Sequence, residues 1–151
     1  MGRLDEAIEE YRKNLSLPSA PPDTKVILAR LLIFRNLRLQ ETYRRWDEVE
    51  QLLDNATKSL PSSSEITILR AEALAAQQKL DPARQLLEKA KKDYPDRPDL
   101  WVALSILAQR QEQPQEAFRI LDEAEKRLGD KIELRLARAR LLGIQGGPKA
   151  S

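Results

Sequence analysis

Four apolar positions recur along this chain at a fixed step, and such a step limits the fold more than composition can. Each copy must be one small unit that buries its apolar face only by stacking on a neighbour. Val49, Leu52, Leu53 and Ala56, followed by Leu60-Pro61, return as Ala83, Leu86, Leu87 and Ala90, followed by Tyr94-Pro95. They return again as Ala117, Ile120, Leu121 and Ala124, followed by Leu128-Gly129. The step is 34 residues from Val49 to Ala83 and again from Ala83 to Ala117. The spacing i, i+3, i+4, i+7 sets each quartet on one face of a helix. Pro61, Pro95 and Gly129 then stop those helices.

A second helix precedes each of these. Its apolar set is Val26, Leu28, Ala29, Ile33 and Phe34, then Ile66, Ile68, Leu69, Ala73 and Leu74. It recurs as Leu100, Val102, Ala103, Leu107 and Ala108, and finally as Leu134, Leu136, Ala137, Leu141 and Leu142. The last three sets keep the 34-residue step, whereas Val26 precedes Ile66 by 40, so six extra residues fall within Arg35 to Trp46. The pattern predicts about eight helices, over 3–15, 23–38, 45–59, 63–78, 81–93, 98–112, 115–128 and 131–144. Ser62 with Glu65 and Asp130 with Glu133 have capping-box spacing, and Asp81-Pro82 reads as a cap followed by a first helical residue.

Composition narrows the chemistry. The 151 residues contain neither Cys nor His, which removes disulfides, thiolates, the commonest general base and the commonest zinc ligands. No catalytic, cofactor-binding or metal-ligating set is expected, and no cofactor. A net charge of +2 argues against a dedicated nucleic-acid domain. No apolar run is long enough to span a bilayer, and because Met1 leads directly into charged helical sequence no signal peptide is expected. A chain without cysteine suits the cytoplasm, and the same composition serves in a bacterial periplasm, so the compartment stays open.

A helix–turn–helix period of 34 residues resembles the tetratricopeptide repeat. From Pro98 onward the family's Trp, Leu, small residue, Ala, aromatic or Leu, Ala and Pro positions are filled by Trp101, Leu104, Ser105, Ala117, Leu121, Ala124 and Gly129. In the preceding unit Ala71, Ala83, Leu87, Ala90 and Pro95 fit, while Thr67 and Arg70 stand where the family prefers Trp and Leu. The resemblance implies an all-α fold, a right-handed superhelical solenoid of antiparallel helix pairs, spanning 1–147. It is organised as a half-repeat 2–19, repeats over about 23–61, 64–97 and 98–131, a half-repeat 132–146 and a tail 148–151. Half-repeats at both ends lead us to expect a fragment of a longer array. Small residues at Ala71, Ser105, Ala83 and Ala117 would let helix backbones approach closely, with Ala83, Leu87, Ala90, Trp101, Leu104, Ala117, Leu121 and Ala124 buried.

The same resemblance implies a protein-interaction scaffold, not an enzyme, with the first-type helices lining a concave groove. Its positions would be Lys25, Leu28, Leu32 and Arg35, then Glu65, Ile68, Glu72 and Ala75, then Asp99, Val102, Ile106 and Gln109, then Glu133, Leu136 and Arg140. These are mainly apolar or acidic, unlike the Lys and Asn with which some family members grip a C-terminal carboxylate. They suit a protein or peptide with apolar anchors and basic residues. The alternative is that the stripe Leu28, Ile68, Val102 and Leu136 packs on neighbouring repeats. Arg30, Arg70 and Arg138 share one phase, either as snorkelling stems or as an anion-binding ladder. Arg35, Arg38, Arg44 and Arg45 with Tyr43 and Trp46 would serve a nucleic-acid or anion reading of the insertion 35–46, against a solvated helix. A non-catalytic module of a larger enzyme is a further alternative. The equal phase of Gly2 and Gly146 also allows head-to-tail self-association.

Overall fold

The computed structural model describes residues 2–146, and the regular structure among them is helical, with no strand. The helices are α1 (Arg3–Leu15), α2 (Asp23–Arg38), α3 (Asp47–Ser59), α4 (Ser64–Ala76), α5 (Leu80–Asp93), α6 (Pro98–Arg110), α7 (Pro114–Leu128) and α8 (Ile132–Gly146). A short 3₁₀ helix, Glu41–Tyr43, lies between α2 and α3. Most ends fall within two residues of expectation. The helices α4 and α6 stop early because Gln78 and Glu112, one period apart, take φ of 62° and 59°. Left-handed residues of this kind end a right-handed helix. The expected tail, 148–151, lies outside the described residues.

The caps differ from the sequence reading. Ser63, not Ser62, accepts the Ile66 N–H of α4 at 3.4 Å. Helix α5 opens at Leu80, so Asp81-Pro82 lies inside the first turn, with Lys79 as its cap. Asp130 binds the side chain of Arg135 instead of capping α8. Each difference is a shift of one or two residues, and short polar side chains close to a helix start cannot be told apart by spacing alone.

Two compact units divide the chain, one ending at Gln77 and the other beginning at Gln78, so the border falls inside the expected repeat 64–97. In the first unit α2 is packed by α1, α3 and α4. Ile8 of α1, Val26, Leu28, Ala29, Leu32 and Ile33 of α2, Val49, Leu53 and Ala56 of α3, and Ile66 and Leu69 of α4 form one core. A fully buried Leu, Ile or Val contributes about 1.5–3 kcal/mol. Outside this core Arg12 clasps Glu48 with Nε and Nη2 at 2.9 and 2.7 Å, tying α1 to α3. That bidentate bond lowers the Glu48 pKa below the usual carboxylate range.

The six-residue insertion is ordered by one side chain. Asn36 is 1% exposed; its Nδ2 donates to the Arg45 carbonyl at 2.5 Å and its Oδ1 accepts the Arg45 N–H at 3.1 Å. Arg44 donates to the carbonyls of Leu39 and Ala76 at 3.1 and 3.3 Å.

In the second unit α6 lies against α5, α7 and α8, and α7 against α8. Ser105, Ala117, Leu121 and Ala124 are each fully buried, which brings α6 and α7 close as the small residues predict. Trp101 packs beneath the Lys91 ammonium, 4.7 Å from its ring centroid, and donates Nε1–H to the Pro95 carbonyl at 2.9 Å. Ala90, expected in the interior, is only half-buried.

Candidate functional site

Helices α6 and α8 carry seven of the fifteen candidate positions. Ile106 on α6 and Leu136 on α8 are 44% and 55% exposed, whereas Leu104, Ser105 and Leu107 beside the first, and Leu134 and Ala137 beside the second, are buried. Asp99, Val102 and Gln109 are half-buried on α6, and Glu133 and Arg140 are exposed on α8. These two helices touch, so the seven positions belong to one unit and two adjoining elements. Carboxylates stand near both helix starts, at Asp99 and Glu133, where the positive end of the helix dipole also favours them. Gln109 keeps its Oε1 buried without a hydrogen-bond partner.

In the first unit the candidates separate. On α4, Glu65 and Glu72 are exposed and Ile68 between them is half-buried, while Ala75 is buried. On α2 the assignment is corrected: Leu28 and Leu32 are 1% and 2% exposed, inside the core. With helices on three sides, α2 has little apolar surface left over at those positions, so neither can anchor a ligand. Lys25 and Arg35 on the same helix are half-buried. Solvent meets a different face of α2. Phe34, a member of this helix's apolar set, is 54% exposed, and Leu37 is 49% exposed. The signal for this was the extra length of the repeat, which carries α2 two residues past the point where α4 and α6 stop.

The arginine ladder is occupied by the protein's own acids. Arg70 donates to Asp54 at 2.6 Å and to Thr57 at 3.3 Å. Arg138 donates to Asp122 at 2.8 Å and to Glu125 at 3.2 Å. Both reach back sixteen residues to the preceding second-type helix, and Arg30 instead pairs with Glu65. Within the insertion Arg44 and Arg45 turn onto backbone carbonyls, and Trp46 packs against the core. A base-stacking surface at Trp46 is therefore not presented.

Elsewhere in the second unit Arg84 bridges to Glu116 at 3.0 Å and to Gln113 at 3.1 Å, linking α5 to the start of α7. Hydrogen bonds from Arg119, opposed by burial and assisted by Arg84, pull the Glu116 pKa down to about 2. The lowered Glu116 pKa reports its ion pairs with Arg119 and Arg84. Among the described residues no group of three or more Asp, Glu, His or Cys is placed to hold a metal, and no helix is long and apolar enough to cross a membrane.

Residues 43–109, from the 3₁₀ helix to the end of α6, match the family model described as Tetratricopeptide repeat. No curated protein matches the chain significantly.

Proposed function

We propose, from the match of residues 43–109 to the tetratricopeptide-repeat model, that this chain is a tetratricopeptide-repeat protein and a non-catalytic scaffold binding a peptide or protein segment across the α6–α8 face. The observation that carries this reading is the exposure of Ile106 and Leu136 on adjoining helices whose neighbouring residues are buried. Such apolar surface is not consumed by the core and gains stability only when something covers it. A ligand with aliphatic anchors fits the apolar centre, and Lys or Arg in its flanks fits Asp99 and Glu133.

Affinity capture with mass spectrometry on Ile106→Glu and Leu136→Glu chains tests the reading. Both substitutions fall on exposed side chains, so helicity by circular dichroism should be unchanged while the captured protein is lost. Capture undiminished in both variants would remove this face as the site.

A further inference from the structure

A different surface, at the C-terminal end of α2, carries the opposite charge. Helix α2 has 16 residues where α4 and α6 have 13 each. Its last turns leave Phe34, Leu37 and Leu39 at 54%, 49% and 37% exposure. Between Phe34 and Trp46 the chain carries Arg35, Arg38, Arg44 and Arg45 against the single carboxylate Glu41. The Arg38 guanidinium sits 5.8 Å from the Phe34 ring centroid.

This surface is built and held. The buried Asn36 clasps Arg45 from both sides, and Arg44 pins the segment through the carbonyls of Leu39 and Ala76. A platform ordered before binding loses less entropy when a ligand arrives. Covering its apolar residues with a neutral or basic partner would strip water from the arginines without compensation, whereas carboxylates would replace that water with charge-assisted hydrogen bonds. Two of the four guanidiniums already face the protein's own backbone, which leaves a poor track for successive phosphates.

We propose that the end of α2 and the segment 39–46 form a second docking surface, for a segment of another protein bearing aliphatic or aromatic anchors among acidic residues. It selects a ligand of opposite charge to the one the α6–α8 face takes, and it stands whether or not that face binds.

A phage-displayed library of random peptides, selected on the full chain, tests it. Selected peptides are sorted by the substitution that abolishes their binding. The class lost on Leu37→Glu should be net acidic with at least two large apolar residues. Its members should weaken at least tenfold on Phe34→Glu and on Arg38→Glu, and should keep their affinity on Ile106→Glu. Circular dichroism confirms that each variant is folded, as expected for exposed positions. A neutral or basic class at Leu37, or no peptide sensitive to Leu37→Glu, overturns the proposal. So does oligothymidylate binding that Leu37→Glu abolishes, which would make the patch a nucleic-acid site. A dimer in sedimentation that the same substitution dissociates would make it a contact between copies, with the same consequence.

Discussion

Glu116 shows how much a single side chain can depend on its neighbours. Arg119 Nε and Nη2 hold its two oxygens at 2.8 and 2.5 Å, and Arg84 adds a third bond from α5. The unperturbed carboxyl titrates near 4.5 and the folded one near 2, so folding favours the ionised form. Its contribution is complete above about pH 4.5 and is lost as pH falls through about 2. Urea midpoints measured across that window should fall more steeply for the native chain than for Glu116→Gln, and parallel curves would show that the network adds nothing. The substitution itself should cost no more than about 1 kcal/mol at neutral pH, as partly exposed pairs generally do. Little of this was readable from the sequence. The arginines at 30, 70 and 138 were seen to share a phase, but the acids they meet lie on another helix, and only the crossing of the two helices brings them together. Likewise Gln78 and Glu112 gave no sign of left-handed backbone, since glycine is the residue that usually announces it.

At the scale of the element, the insertion depends on Asn36. Replacing it with Ala leaves the Arg45 N–H and carbonyl without their side-chain partner in a part-buried setting, a loss of about 1–3 kcal/mol. The segment 39–46 should then open locally, and limited trypsin digestion should cut after Arg44 or Arg45 far sooner than in the native chain. Equal cleavage rates would mean that the clasp does not order the segment. Helix existence and phase were legible because apolar residues at a 34-residue step leave few other readings. The face of each helix was less so. On α6 and α8 exposure varies from Ile106, Glu133, Leu136 and Arg140 in solvent to the half-buried Asp99, Val102 and Gln109, whereas on α2 the apolar residues run nearly all round, and no periodicity within one helix tells which neighbours will cover Leu28 and Leu32. Asn36 escaped notice for a related reason: a lone amide inside an apolar stretch declares its bonds only once the chain has folded back on it.

The whole molecule has two compact units, and repeat chains of this kind gain stability from each unit and its nearest contacts. Leu121→Ala removes a fully buried side chain from the second unit, at a cost of about 2–5 kcal/mol. Hydrogen exchange should show protection falling through α6, α7 and α8 while α1 to α3 keep theirs. Uniform loss would indicate that the chain opens in one step. The two tryptophans add something to this picture. Trp46 lies half-buried in the first unit, and Trp101, 6% exposed and bonded through its indole N–H, lies in the second. Each unit thus contains its own intrinsic fluorophore in a distinct environment. With Trp46→Phe or Trp101→Phe the emission of one unit can be recorded alone, so their denaturation can be followed as two separate optical signals without attaching any dye.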